Sequence, residues 1–314
     1  MNQRESHYWA NRRLAAMEKR LEAVYRRAGE EMQAKLNRFL AELEDRDEKR
    51  RQQMLNGEIT QEEYQRWRRT QFFQSELKRQ KIEMMATDML HVNETALAYI
   101  NGELPEIYAT SYNSFASTAE SAVKGYSWGM VDRDTVKRLV AENETFLPYK
   151  KINGKKDVRW NTKKINAEIL QGILQGERIG DIAKRLQNVS EMNRVSAVRN
   201  ARTMVTGAEN KGREDSYARA EKDGMLLVRE WLATKDGRTR HAHGVLNGQR
   251  RAVGEYFEAV DEHGISQRIL YPGDPNAAPE MVYNCRCTTV AHVVGFKSTL
   301  PKKLRGKIEV RWIA

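Results

Sequence analysis

Trp231-Leu-Ala-Thr-Lys-Asp236-Gly-Arg238-Thr-Arg240-His241-Ala-His243-Gly-Val-Leu-Asn247-Gly248 opens the segment whose reading decides the fold. It runs on through Tyr271-Pro272-Gly273-Asp274-Pro275 and closes on Asn284-Cys285-Arg286-Cys287, gathering both cysteines and three of the six histidines. Asp236-Gly237 and Asn247-Gly248 are turn signals, because Asn or Asp before Gly supplies the positive backbone angles of a tight hairpin. Short strands are therefore expected nearby, at 226–232, near 249–253 and at 282–294.

Upstream, the pattern is helical. Over 8–51, Leu14, Met17, Leu21, Val24 and Tyr25, Met32, Leu36, Phe39 and Leu40, and Leu43 recur at steps of three and four, the stripe of a long amphipathic helix that needs a partner. Asn56-Gly57 breaks it, and Thr60 with Glu63 makes a capping box for a second helix carrying Tyr64, Trp67, Phe72, Phe73, Leu77 and Met84 or Met85. An antiparallel helical hairpin is the simplest arrangement. Arg and aromatic residues interleave over 64–73, but duplex DNA offers no unstacked bases, so the aromatic stripe is read as core. Helical spacing continues over 107–128 and 132–141. Pro148 and Asn153-Gly154 then mark a hinge. Asn161 is expected to cap a helix with Ile165, Ile169 and Ile173. A helix with Ile182 and Leu186 comes next, and another over 192–223 packs on the sheet.

The fold class expected is α+β. A helical hairpin or bundle occupies 1–148, a compact domain of helices and a small antiparallel sheet occupies 149–295, and a basic tail with a strand-like end occupies 296–314.

At 314 residues the chain is long enough for about two domains, and a 31% charged fraction sets it apart from membrane-spanning sequences. No run reaches the ~18 apolar residues of a spanning helix, so a protein kept in the cytosol, or in a particle assembled there, is expected. Two cysteines separated by one residue fit a reducing compartment and argue against a disulfide framework. The net charge of +11 favours polyanionic partners without naming them.

The motifs of the first paragraph resemble the C-terminal domain of the phage head-morphogenesis minor capsid proteins, the family that includes the F protein of phage Mu. The matching residues are Trp231, Ala233, Thr234, Asp236, Arg238, Thr239, Arg240 and His243, then Pro272, Gly273, Asp274 and Pro275, then Asn284, Cys285, Arg286 and Cys287. Arg199, Arg202, Thr203, Asn210 and Gly212 resemble the helix that precedes them in the family. The resemblance covers the last third of the chain. It implies a minor structural protein of a tailed-phage head that associates with the portal during procapsid assembly in the host cytoplasm. Such a protein lies in the head interior, portal-proximal and near the genome, with a role in DNA packaging or ejection. Its partners would be the portal, the major capsid or scaffolding protein and packaged double-stranded DNA, with no membrane. No enzymatic activity and no catalytic residues are expected. The rival readings are a metal-dependent nuclease or toxin-like enzyme and a duplex DNA-binding protein.

On a strand over 284–290, Cys285 and Cys287 share one face and Arg286 takes the other. Two thiolates with His243, and His241 or Asp236 as a fourth ligand, would suit structural zinc. Two inert buried thiols beside a packed histidine is the preferred reading, so no cofactor is expected and zinc is the alternative. Trp231, Asp236, Arg238, Arg240, Pro272, Gly273 and Arg286 are read as structural, with Arg238 and Arg240 pairing Asp236 or Glu255. Lys150, Lys151, Lys155 and Lys156, with Lys302, Lys303 and Arg305, are the candidate nucleic-acid contacts, although a solvated linker is the preferred reading of the first four.

Overall fold

The apolar stripe of the first segment folds as α1, Gln3–Leu55, with Leu14, Met17, Leu21, Tyr25, Met32, Leu36 and Leu40 buried. The computed structural model describes residues 1–73, 76–261, 263–297 and 301–305. The strand-like end expected over 308–313 lies outside the described residues. The helices that follow are α2 (Gln61–Phe73), α3 (Glu76–Asn113), α4 (Ala116–Ala122), α5 (Arg133–Glu142), α6 (Gly154–Leu174), α7 (Ile179–Lys184) and α8 (Leu186–Lys222). After them come β1 (Met225–Leu232), α9 (His241–Leu246), β2 (Arg250–Ala252), β3 (Phe257–Val260), β4 (Ser266–Ile269), α10 (Pro279–Val282) and β5 (Thr288–Phe296). The α+β class holds: a long helical N-terminal half precedes a small antiparallel sheet.

Contacts group the chain into two units, and neither is a continuous stretch of sequence. One comprises Met1–Glu18, Tyr99–Lys150 and Arg199–Ala314, the other Lys19–Ala98 and Lys151–Val198.

In the second unit, Tyr25 of α1 donates to Asn93 of α3 at 2.8 Å and Lys35 to Asp88 at 2.7 Å, so the pairing runs antiparallel. The capping box forms: Glu63 N donates to Thr60 Oγ1 at 3.1 Å and Thr60 N to the Glu63 carboxylate at 2.8 Å. Tyr64 and Phe72 are buried, and Arg68 beside them turns inward onto Asp47 at 3.0 Å, so these residues are core. The helix start expected at Asn161 is corrected. Asn153 caps α6 by accepting from Lys156 N, and Asn161 is fully buried further along the helix. There Asn161 joins a chain of side-chain amides. Asn93 donates to Asn193 at 2.8 Å and to Asp157 at 3.0 Å; Asn193 donates to Asn161 at 2.8 Å, and Asn161 donates to Asp157 at 2.8 Å. This network links α3, α6 and α8 inside an otherwise apolar core, where each group left unpaired is costly. Asn193→Ala should therefore lose about 2–3 kcal/mol, read as a lowered urea midpoint, because it strands Asn161 and Asn93 together.

In the first unit, β1 lies at the centre of the order β2-β1-β5, antiparallel to both neighbours, with Trp231 opposite Thr289 and Val228 opposite Ala252. β3 and β4 form a separate hairpin. The strand expected over 282–294 begins only at Thr288. Pro279, favourable in a first helical turn, starts α10 instead, and Asn284 adopts a left-handed φ of 61° that ends regular structure. The Asn247-Gly248 turn does form, with Gly248 at φ 82°, but it joins α9 to β2 and not two strands. The edge of β5 is closed by Gln3. Its side-chain amide donates to the Ala291 carbonyl at 2.9 Å and accepts from the Ala291 amide at 2.9 Å, while Asn210 and Tyr217 of α8 meet the amide and carbonyl of Thr289, two residues earlier on the same edge.

Candidate functional site

Trp231, next to the last residue of β1, is fully buried, with Phe257 of β3 and His243 of α9 packed edge-on against it at centroid distances of 5.3 and 5.6 Å. Around it Ala242, Leu246, Ile269, Met281, Val282, Cys285 and Cys287 complete one apolar cluster. Within that cluster His243, Cys285 and Cys287 converge. The Nδ1 atom of His243 lies 3.5 Å from each of the two sulfurs, and all three side chains are buried. The Cys287 amide donates to Cys285 Sγ at 3.3 Å. Cys287 is held well below the usual thiol range because it accepts from Cys285 and from His243. Donation to Cys287, with burial, pushes Cys285 up.

The two sulfurs are brought together by a loop and not by strand parity. α8 supplies the scaffold: Thr203 Oγ1 accepts from the Asn284 amide at 2.9 Å, Thr206 Oγ1 donates to the Cys285 carbonyl at 2.6 Å, and Asn210 Nδ2 donates to the Cys287 carbonyl at 3.2 Å. Asn210 Oδ1 also accepts from the Thr289 amide at 3.2 Å. These helix residues recur at steps of three and four, so one polar face of α8 holds the non-helical backbone of 284–289. That stripe was visible in the sequence as spacing, but nothing there said which backbone it would meet.

Asp236 does not join the sulfurs. Its carboxylate is gripped by Arg286 at 2.7 and 3.0 Å and accepts from the Arg238 amide at 3.0 Å. The Arg286 bond is the main reason that its acid stays down at about 2. Of the expected pairings, Arg238 does pair with Asp236, at 3.7 Å and largely exposed, but Arg286 from the Cys-Arg-Cys turn is the closer partner, and the pairing expected of Arg240 is corrected. Arg240 donates instead to the Tyr283 carbonyl, and Glu255 accepts from the Ala252 amide. His241 is exposed at the start of α9, and His292 is exposed on β5 with Glu230 at 3.1 Å. Pro272 and Gly273 belong to a loop held by Asp274, a buried carboxylate that accepts from the Asn276 amide at 2.9 Å and the Leu270 amide at 3.3 Å.

The candidate basic residues do not share one environment. Lys150 is half-buried, donates to Asn200 at 2.6 Å and lies 5.6 Å from the Tyr283 ring centre. Lys151, Lys155 and Lys156 are exposed, the last two in the first turn of α6. Lys302 and Lys303 are exposed in a short 3-10 turn, and Arg305 bridges to Val123.

The segment around Trp231 has counterparts in known proteins. Residues 163–290 match the model of the family described as Phage Mu protein F like protein, so the resemblance carried by the motifs is shown for that region. Over 295 residues, 94% of this chain and 88% of the other, the chain is 23% identical to Minor head protein GP7 of Bacillus phage SPP1. Over 143 residues it is 29% identical to NAD(+)--arginine ADP-ribosyltransferase EFV of Enterococcus faecalis (strain ATCC 700802 / V583), which covers 46% of this chain and 28% of that protein. No solved structure matches.

Proposed function

We propose that this chain is a minor structural protein of a tailed-phage head, bound to the portal during procapsid assembly and lying inside the head near the genome. The observation that carries the reading is the extent of the likeness to the minor head protein, which takes in 94% of this chain and 88% of the relative. The helical N-terminal half and the C-terminal domain are therefore both included. The ADP-ribosyltransferase is similar over little more than a quarter of its own length, so its activity is not carried over to this chain. The motif residues support a structural part: Trp231 is core, Asp236 and Arg286 pin one turn to another, and Asp274 holds its own loop. No described helix is long and apolar enough to cross a membrane, and the charge of +11 suits a DNA-filled shell. A role for the head interior in packaging or ejection of the genome belongs to the same proposal.

Co-purification with the portal protein of the same phage, at low and high salt, tests it. A stoichiometric complex that survives high salt is expected, because a docking surface built on apolar helix faces is insensitive to counterions. Loss of the complex, with retention on duplex DNA that salt abolishes steeply, would replace this reading with the DNA-binding one.

A further inference from the structure

We propose that His243, Cys285 and Cys287 bind one zinc ion, through Nδ1 and the two sulfurs, with water as the fourth ligand. The site is independent of the portal reading and would hold whichever partner the chain takes.

Three observations carry it. The first is distance. Zinc bonds of about 2.0–2.1 Å to nitrogen and about 2.3 Å to sulfur, at the tetrahedral angle, set nitrogen and sulfur about 3.6 Å apart. Nδ1 stands 3.5 Å from both sulfurs. The second is hydrogen-bond capacity. An imidazole nitrogen either donates one proton or accepts one, so a good bond to one sulfur leaves the other without a comparable one. A cation between the three atoms satisfies both sulfurs at once. The third is the surrounding shell. The Cys287 amide already points at Cys285 Sγ, the kind of donor that supports a bound thiolate, and α8 fixes both cysteine carbonyls. Coordination through Nδ1 places the ring proton on Nε2, which is buried with no hydrogen-bond partner among the described residues, an unpaired donor whose cost the three metal bonds must outweigh.

Two thiolates and an imidazole favour zinc over the hard cations, which take oxygen ligands. Binding forms two zinc–sulfur bonds and one zinc–nitrogen bond, releases the thiol protons to solvent and changes no oxidation state. Among the described residues no fourth His, Cys, Asp or Glu joins the group, which is why water completes it. The ion would tie α9 to the Cys-Arg-Cys turn.

The full-length chain, purified without chelator, should carry one equivalent of zinc by elemental analysis. Its cobalt-substituted form should show tetrahedral visible bands and thiolate charge transfer, and X-ray absorption should count two sulfurs with one nitrogen and one oxygen. Chelation should lower the melting temperature, and zinc should restore it. His243→Ala should keep thiolate charge transfer but weaken metal affinity by at least tenfold. A folded, metal-free protein that takes up neither zinc nor cobalt overturns the proposal. So does a cysteine pair recovered as a disulfide, or a His243→Ala protein with unchanged metal affinity. The cobalt spectrum of the unmutated chain decides the matter even where Cys285→Ser or Cys287→Ser fails to fold.

Discussion

Arg229→Met should cost about 3–5 kcal/mol of stability, because it removes one partner of a buried ion pair and strands several acceptors at once. Arg229 is fully buried on the central strand. It donates to Glu214 at 2.9 Å, to the Ala252 carbonyl at 2.9 Å and to the Leu270 carbonyl at 2.8 Å, and its third carbonyl partner is Glu255. These acceptors come from α8, from β2 and from the loops beside the β3–β4 hairpin. The substitution thus unpins the β3–β4 hairpin, which shares no ladder with the three-stranded sheet, from β1 and α8. Methionine keeps much of the volume, so the loss measures polar satisfaction more than cavity formation.

The same variant should show a changed pH dependence. Burial raises the Glu214 acid to about 7 against the pull of Arg229. An acid whose folded pKa lies above its unfolded value binds more protons in the folded state, so its contribution to stability falls as pH rises through that window. Without Arg229 the acid moves higher still, and the fall continues to higher pH. The gap between variant and parent in urea denaturation should therefore widen as pH is taken above 7. A gap that is constant with pH would show that Glu214 and Arg229 are not coupled, and a loss under about 1 kcal/mol would show that water replaces the guanidinium.

Much of this arrangement could be read from the chain before its structure. Steps of three and four named most of the buried face of α1, since helix geometry turns spacing directly into a stripe, although Val24 and Phe39 at its margin are only half-buried. Thr60 and Glu63 announced their own cap because both partners are local. His243, Cys285 and Cys287 stood out as chemistry, and they do meet. What spacing could not supply was every contact whose meaning depends on a distant partner. Nothing near Gln3 says that its amide will close the edge of β5, and nothing in Arg229 says that it will be buried. Asn161 misled for a related reason: asparagine suits a helix cap and a buried amide network equally well, and only Asn93 and Asn193 decide between them. The Cys-Arg-Cys segment misled through its β-branched followers, Thr288, Thr289 and Val290. These do form a strand, but Asn284 and α10 hold the preceding residues out of it.

Gly273→Ala should destabilise the first unit by about 2–5 kcal/mol, combining ~1–2 kcal/mol for a side chain in left-handed backbone with ~1–3 kcal/mol for overpacking. Gly273 has φ 82°, and a methyl group there would stand 2.7 Å from the Gly207 Cα and 2.8 Å from the Gly207 nitrogen. Both obstacles are backbone of α8, which cannot rotate aside as a side chain could. Gly207 is the complement: a methyl on it would meet the Pro148 ring at 3.1 Å and the Gly273 carbonyl at 3.4 Å. The Pro-Gly-Asp-Pro loop therefore lies on the helix at a distance that only two glycines permit. Gly248 separates the two contributions, since its φ is also 82° and a methyl group on it would meet nothing within 4 Å beyond its chain neighbours. Gly248→Ala should lose only the conformational part, and the difference between the two variants, measured by urea denaturation, is the cost of pushing the loop off α8. Equal losses at the two positions would mean that the loop yields freely. The close approach would then be incidental, and the motif would owe its glycine to the turn alone.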